Sequence, residues 1–297
     1  MKILISGSHG LVGQALNRSL ASDGHTVMRL VRRSSASENE IEWQPEFGVN
    51  DPSKIEALDA VVHLAGESIA SGRWTDVKKQ RIFDSRVKGT FALSKAIAQL
   101  NEPPKTFLSA SAIGYYGDRK DELLRESSAP GNDFLATVCV QWEKATGPAV
   151  EKGIRTVCTR FGIILDKKGG ALAKMLTPFR MGIGGRVGDG KQWMSWIALD
   201  DVVTALRFVL NKADITGPVN FVAPNPVTNE AFTRALGRTL GKPSLIPIPE
   251  FGVRLAFGEM ADALLLSSQR VDPAKLKDAE FEFRLTTIEE ALRRILV

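Results

Sequence analysis

The sequence predicts an α/β protein built on a Rossmann-like, doubly wound parallel sheet, with a smaller, mostly helical C-terminal substrate lobe. Three observations support this fold class. A glycine-rich loop directly follows the first apolar run, and further short apolar runs then alternate with helical patterns. After about residue 166 the sequence becomes rich in glycine and later in proline. Apolar runs that alternate with amphipathic helices are typical of a parallel sheet covered on both faces.

The expected strands are short runs rich in β-branched residues. They cover residues 3–5, 26–31, 60–65, 106–110, 155–161 and 219–222. Helical periodicity follows the glycine loop and recurs over residues 84–100 and 134–152. We assign residues 1–166 to a nucleotide-binding domain, to which 195–222 return, and residues 167–194 and 223–297 to the C-terminal lobe.

The composition is that of an ordinary soluble globular protein. Of its 297 residues, 43% are hydrophobic and 25% are charged. The formal charge of +5 is scattered along the chain, so nucleic-acid binding is not expected. Two cysteines and three widely spaced histidines do not suggest a metal site. The sequence has neither a secretion signal nor an apolar run long enough to span a membrane, so we expect a cytoplasmic protein that is not bound to a membrane.

The loop "GSHGLVG" has the spacing and context of a dinucleotide-binding motif. Gly7 permits a tight turn, Gly10 lets a pyrophosphate approach the backbone, and Gly13 lets the helix pack close to the strand. The helix N-terminus adds free amides and a positive dipole. His9 is interpreted as lining the phosphate site rather than as a catalytic base. The residues expected to form this site are Gly7, Ser8, His9, Gly10, Leu11 and Val12.

The second strand ends in "LVRRSS", which bears on the choice of cofactor. An NAD-binding site would carry an acidic residue here to bind the ribose hydroxyls. Arg32 and Arg33 stand in that place instead, and guanidinium groups suit a 2′-phosphate. The expected cofactor is therefore NADP(H). A solvated pair of surface arginines is the alternative.

The segments "GSHGLVG", "VVHLAGESI" and "SASAIGYYGD", in this order, resemble the extended and atypical short-chain dehydrogenases/reductases. Later segments, among them "GKQWMSWIALDDVV" and "GPVNFVAPNPVTNEAFTRALGR", are similar to the YfcH-like epimerase-family proteins, which carry a C-terminal domain of unknown function. This resemblance implies that Leu64, Ala65 and Gly66 run beneath the adenine and ribose. It also implies that Arg81 and Arg86 reach the cofactor or its phosphates. Close packing at Ala65 and Gly66, and a surface ion pair at Arg86, remain open alternatives.

Working members of that superfamily use a serine or threonine with a Tyr-x-x-x-Lys pair, and this pair is missing here. Alignment on Glu143 puts Leu135 at the tyrosine position and Cys139 at the lysine position. Ser111 stands at the serine position, and Tyr115 and Tyr116 are the only tyrosines. Ser111 and Tyr116 are thus the expected catalytic residues, unless the tyrosine rings only wall the pocket.

We expect a glycine-rich segment to close over the substrate. It contains Arg180, Arg186, Lys191, Gln192, Trp193 and Trp196. Such residues suit an anionic or sugar-like small molecule, although the segment could also be a hinge between lobes. The sequence therefore favours an NADP(H)-binding oxidoreductase or epimerase-like enzyme acting on an unknown small molecule. The alternative is a non-catalytic, NADPH-responsive regulatory or partner-binding protein. The oligomeric state stays open.

Overall fold

The computed structural model describes residues 1–297, which form fourteen strands and eleven α-helices. The strands are Lys2–Ser6 (β1), Thr26–Val31 (β2), Glu40–Gln44 (β3), Gly48–Val49 (β4), Ala60–His63 (β5), Thr106–Ala112 (β6), Leu123–Leu124 (β7), Arg155–Phe161 (β8), Ile163–Leu165 (β9), Trp193–Met194 (β10), Trp196–Ala198 (β11), Gly217–Phe221 (β12), Val227–Thr228 (β13) and Arg270–Val271 (β14). The helices are Leu11–Ser22 (α1), Asp76–Ala98 (α2), Phe134–Lys144 (α3), Gly147–Glu151 (α4), Gly170–Arg180 (α5), Leu199–Asn211 (α6), Asn229–Leu240 (α7), Glu250–Phe257 (α8), Glu259–Ala261 (α9), Ala274–Asp278 (α10) and Ile288–Leu296 (α11).

Eight of the strands form one sheet, which confirms the predicted Rossmann-like fold. The strand order is β12-β8-β6-β5-β1-β2-β3-β4, and every neighbouring pair is parallel except β3 with β4. From β1 the chain first builds outward through β2 and β3, and it then returns to the other side of β1 as β5. The order therefore reverses between β1 and β5, and ligands bind at the carboxyl ends of strands at such a point.

Helices cover the sheet on both faces. On one face α1 and α6 pack together over β1, β5 and β8, with Leu16 and Leu206 fully buried. On the other face α2 and α4 cover the sheet, with Leu93, Ile97 and Ala149 in the core. A separate core in the second lobe joins α5, α7 and α11.

The differences from the predicted elements have local causes. The helix expected at 84–100 begins at Asp76, because the Thr75 side chain accepts the Lys78 N–H and caps it. The helical stretch 134–152 is two helices, and Pro148 stands in the first turn of the second, where no N–H is needed. Strands β3 and β4 were not predicted, since Glu40 interrupts the apolar pattern.

The C-terminal segment does not stay in one lobe. Strand β14 pairs with β7, and Leu276 and Phe281 are buried in the core of the large domain. This segment thus departs from the expected assignment of all of residues 223–297 to the second lobe. Apart from this returning segment, the exact boundary between the two parts stays a prediction. None of the helices has the length and apolar character needed to cross a membrane.

His63 ends strand β5 inside the core. Its Nδ1 lies 2.6 Å from Ser6 Oγ, which already accepts the N–H groups of Leu64 and Ala65. The hydroxyl proton of Ser6 is therefore donated to Nδ1, and the ring carries its own proton on Nε2, which has no partner. Burial lowers the pKa of His63 from 6.5 to about 4.

Stability should consequently fall as the pH drops from 6.5 to about 4. In that window the unfolded chain binds a proton at His63 and the folded chain does not, which costs roughly 2 to 3 kcal/mol. His63→Asn keeps an acceptor for Ser6 but cannot titrate, so it should remove this part of the loss. Urea unfolding at pH 7 and pH 4.5 measures it.

The histidine control is His25→Asn, because His25 lies outside the core beside the N-terminal amine. This variant should lose as much stability between the two pH values as the unaltered protein. An equal loss in the His63 variant would contradict the assignment of a neutral, buried ring.

Candidate cofactor site and substrate cavity

A tight glycine loop connects β1 to α1. Gly7 has a φ of +68°, and a Cβ there would lie 2.7 Å from the carbonyl carbon of Leu64. A Cβ on Gly13 would lie 2.3 Å from the carbonyl oxygen of Gly7. Both distances are far inside van der Waals contact, so only glycine fits at these two positions. The loop therefore lies directly against the backbone that follows β5.

The N-terminus of α1 is open. Gly10 is the N-cap, no side chain caps the helix, and its first turn contains no acidic residue. The first amides of a helix have no acceptor within the helix, and they lie at the positive end of the dipole. Ser8 is buried, whereas His9 is exposed, with its Nδ1 3.5 Å from Ser8 Oγ. This arrangement can bind an anion such as a phosphate.

Arg32 and Arg33 follow β2 at the same edge of the sheet, but they are not equivalent. Arg33 donates to Glu40 Oε1 at 2.8 Å and to the carbonyl of Ser34. The Ala36 amide, together with Arg33, lowers the pKa of Glu40 despite its desolvation. Arg32 is exposed and has no hydrogen-bond or ion-pair partner in the protein. Of the two guanidinium groups, that of Arg32 is thus the one available to a ligand.

The residues after β5 contact Arg86 of α2. A Cβ on Gly66 would lie 3.5 Å from the guanidinium carbon of Arg86. That guanidinium donates to the carbonyls of Glu67 and Ile82 and stacks over the ring of Trp142, 5.1 Å from its centroid. Burial lowers the pKa of Arg86. Arg86 is therefore a half-buried cation at the cleft that bonds backbone carbonyls and forms no ion pair, unlike the alternative of a surface ion pair.

Arg81 differs from Arg86, five residues further along the same helix. Its side chain is exposed and makes no ion pair. The nearby Glu67 pairs instead with Lys78, whose Nζ lies 2.6 Å from Glu67 Oε1. Leu64 and Ala65 are half-buried beside the glycine loop. The structure thus brings the loop, the end of β2 and the residues after β5 to one edge of the sheet.

The environment of Ser111 does not suit a catalytic serine. Ser111 is 2% exposed and donates to Glu143 Oε1 at 2.7 Å. Glu143 forms two hydrogen bonds with Arg160, of 2.7 and 2.8 Å. The next residue of the strand, Ala112, hydrogen-bonds Cys139 through its backbone. Ser111 thus hydrogen-bonds the buried Glu143–Arg160 ion pair, an arrangement that does not suit the catalytic role expected from the sequence.

Tyr116 belongs to the same polar network. Its hydroxyl donates to Asn220 Oδ1 at 2.7 Å and accepts from Arg160 at 3.0 Å, and the side chain has no exposed surface. Burial raises its pKa to about 12. A buried phenol with both hydrogen-bonding roles occupied does not suit the expected proton donor. Sequence reasoning missed this network, although Arg160 in the apolar run "RTVCTRF" was a signal for it.

Helix α3 presents apolar groups where the tyrosine and lysine are missing. Gly114, just after β6, lies against Leu135 and Cys139. Burial raises the pKa of Cys139 to about 12, so the thiol is protonated at neutral pH. Tyr115 is half-buried, its hydroxyl has no partner, and its ring stacks on Arg160 at 3.5 Å. Neither a lysine nor an activated thiol stands beside this part of the cleft.

A cavity of about 570 Å³ lies between the carboxyl-edge loops of the sheet and the second lobe. Lys191 and Gln192 of the predicted covering segment line it. Trp196 does not, because its ring is fully buried in the lobe core and donates to Asn225. The indole of Trp193 donates to Asp121 at 2.7 Å. Sequence reasoning missed most residues of the cavity, which come from loops and helix ends far apart in the chain.

Two family models match the chain. One, described as the NAD dependent epimerase/dehydratase family, matches residues 3–222, and the other, a domain of unknown function (DUF1731), matches residues 248–295. These matches confirm the predicted resemblance.

Similar proteins span nearly the whole chain. The epimerase family protein Mb2239 of Mycobacterium bovis is 46% identical over 98% of this chain and 96% of its own length. The Bacillus subtilis epimerase family protein YfhF is 36% identical over 100% of this chain and 98% of its own. The crystal structure of human epimerase family protein SDR39U1 (isoform2) with NADPH is 31% identical, with a TM-score of 0.91 over 99% of both chains. The chain belongs to the NAD dependent epimerase/dehydratase family.

Proposed function

We propose that this protein binds NADP(H) at the carboxyl edge of its sheet, between β1 and β5. The observation that carries the proposal is the uncapped N-terminus of α1 beneath a glycine loop that tolerates no side chain at Gly7 or Gly13. The pyrophosphate would accept hydrogen bonds from the loop and first-turn amides. The residues proposed to hold it are Gly7, Ser8, His9, Gly10, Leu11 and Val12.

The preference for NADP(H) over NAD(H) rests on Arg32. Its guanidinium is exposed and unpaired at the end of β2, where the adenosine ribose of a dinucleotide is held in this fold. Arg33 is held by Glu40 and would contribute less directly, as a neighbouring positive charge. The human protein with a solved NADPH complex, at 31% identity, supports the same cofactor.

Other residues would position the remaining parts of the cofactor. Leu64, Ala65 and Gly66 offer backbone beside the glycine loop for the adenine and ribose. Arg86 keeps donors free after its two bonds to backbone carbonyls, and it lies next to Cys139, at the position of the missing lysine. We therefore place Arg86 on the nicotinamide side. The exposed Arg81 would meet the phosphates from solvent.

With NADP(H) bound, the protein would act as an oxidoreductase or epimerase-like enzyme on a small molecule in the 570 Å³ cavity. The nicotinamide supplies or accepts a hydride. The protein's part is to orient the substrate carbonyl or alcohol and to exclude water. Because Ser111 and Tyr116 are occupied in the buried network, the proton would come from another group or from solvent.

A second candidate function is a non-catalytic, NADPH-responsive regulatory or partner-binding protein. Leu135 and Cys139 favour it, since no tyrosine and lysine pair stands on α3 to move a proton. Cofactor binding would then stabilise one arrangement of the two lobes without turnover. The two functions share the cofactor site and differ only in the chemistry of the cavity.

Replacement of Arg32 tests the cofactor assignment. Arg32→Ala removes a charged donor to the 2′-phosphate, which is worth about 1.5 to 3 kcal/mol, so NADPH binding should weaken roughly 10- to 100-fold. NADH binding should change less than about twofold, because NADH has no group for Arg32 to contact. Calorimetric titration with both dinucleotides measures the two effects.

Arg294→Ala, an exposed substitution on α11, is the matched control and should alter neither affinity. Arg33→Ala should weaken NADPH binding less than Arg32→Ala does. Equal losses of NADPH and NADH affinity in the Arg32 variant would refute the 2′-phosphate assignment.

Turnover separates the two candidate functions. The protein should oxidise NADPH with at least one compound in a panel of small carbonyl compounds, followed by absorbance. Tyr116→Phe should lower stability by about 1 kcal/mol, from the lost hydrogen bond, and leave kcat within about twofold. Tight NADPH binding with no turnover across the panel would favour the regulator. A large loss of kcat in Tyr116→Phe without a matching loss of stability would instead show that Tyr116 is the proton donor.

A further inference from the structure

The substrate cavity has an excess of negative charge. Seven carboxylates and three cationic side chains line it. Two of the cations are already paired with lining carboxylates. Lys120 bonds Asp118 at 2.5 Å, and Arg254 bonds Glu250 and Asp262 at 3.1 and 2.9 Å. Glu259 pairs with Lys79, which does not line the cavity, so the carboxylates outnumber the nearby cations by seven to four. A site with such an excess of negative charge repels anionic ligands.

The remaining polar groups are mostly acceptors. Asp121 accepts from the Trp193 indole, and Asp189 accepts from the Lys191 amide, so each carboxylate keeps unused acceptor capacity. Neither forms an ion pair within the protein. Lys191 is the one lining cation without an ion-pair partner, and its side chain is exposed. A ligand with hydrogen-bond donors would bond to these free acceptors, whereas a ligand with further carboxylates would be repelled by them.

Gln192 is an independent indication of the same preference. The residue is 8% exposed and lines the cavity. Its Nε2 donates to the carbonyls of Val187 and Leu265, both at 3.0 Å, which uses both amide protons and fixes the orientation of the amide. No protein group donates to the amide oxygen. This oxygen is therefore a fixed and unpartnered acceptor left to the cavity.

An apolar wall completes the cavity. The rings of Trp74 and Phe134 meet edge to face, with centroids 5.4 Å apart, and both line the cavity. Leu135 packs in the same apolar cluster as Trp74 and Phe134, so the wall is continuous with the proposed nicotinamide side. The ammonium of Lys79 already lies over the Phe134 ring, 5.4 Å from its centroid. The aromatic wall therefore suits the C–H face of a polyhydroxylated ligand.

We propose that this cavity binds a neutral or cationic small molecule rich in hydroxyl or amine donors, and that Gln192 is one of the residues that select it. The inference rests on the proposed function for the identity of the site as a substrate site. The sequence predicts an anionic or sugar-like ligand. We keep the sugar-like ligand and reject the anionic one, because the excess of carboxylates repels an anion.

Binding of matched hexose probes to the NADPH-loaded protein tests the proposal. The probes are glucose, glucosamine, gluconate and glucose 6-phosphate, and ligand-observed NMR titration gives each affinity. Glucose and glucosamine should bind. Gluconate and glucose 6-phosphate should bind at least about tenfold more weakly, because each brings a negative charge against the lining carboxylates.

Gln192→Leu removes the unpartnered acceptor and should weaken glucose and glucosamine binding by about 3- to 10-fold, with NADPH affinity unchanged. Gln99→Leu, the same substitution at an exposed position at the end of α2, is the control and should change nothing. The Gln192 side chain also donates to two backbone carbonyls, so its replacement could disturb the fold locally. A second variant therefore tests the proposal without changing Gln192. Glu250→Gln combined with Asp262→Asn removes two exposed carboxylates and should strengthen gluconate binding by about tenfold.

Gluconate binding as tight as that of glucose, no binding by glucose or glucosamine, or affinities unchanged in both variants would each overturn the proposal. NADPH titration of the same samples keeps the two ideas apart. If NADPH does not bind, the proposed function fails, and the hexose titrations on cofactor-free protein still test the cavity.

Discussion

Three backbone segments touch at the carboxyl edge of the sheet, and the arrangement of the whole candidate site depends on this contact. The loop at Gly7 lies against the carbonyl of Leu64, and the first turn of α1 lies against the loop at Gly13. Ser6 at the end of β1 also fixes this contact, because its hydroxyl oxygen accepts hydrogen bonds from the amides of Leu64 and Ala65. A side chain on either glycine would separate these segments. The contact leaves the N-terminus of α1 open and aligned with the end of β2 and the chain after β5.

The polar groups expected to perform chemistry stabilise the fold instead. Ser111, Glu143, Arg160, Tyr116 and Asn220 form a continuous buried network that joins β6, α3, β8 and β12. Removal of one partner from such a network leaves a charge or donor unsatisfied in the core, which is costly. The network therefore fixes the position of α3, whose N-terminal end at Phe134 borders the cavity. In this arrangement neither the Ser111 hydroxyl nor the Tyr116 hydroxyl is free to transfer a proton to a ligand.

Much of the fold could be predicted from the sequence, because sheet, helices and glycine loop each leave a local pattern. The strands at 26–31 and 155–161 match their predicted bounds, and the loop at Gly7 has the positive φ that the motif implies. Strand β3 escaped notice because Glu40 interrupts the apolar pattern, and its burial depends on the ion pairs with Arg29 and Arg33 that form only in the folded protein. The partners of Ser111 and Tyr116 lie 32 and 104 residues away, so no local pattern could reveal that these hydroxyls are occupied. The cavity unites loops from four parts of the chain, and its net charge is a property of the folded protein alone.

The change in backbone amide chemical shifts when NADPH is added to the labelled protein shows directly whether the N-terminus of α1 holds the cofactor. The account predicts that the largest shifts fall on the amides of residues 8–12, at the open end of α1, with a further group at the end of β2 around Arg32. NADH should reproduce the first group and not the second. Shifts centred elsewhere, with residues 8–12 unmoved, would contradict the account.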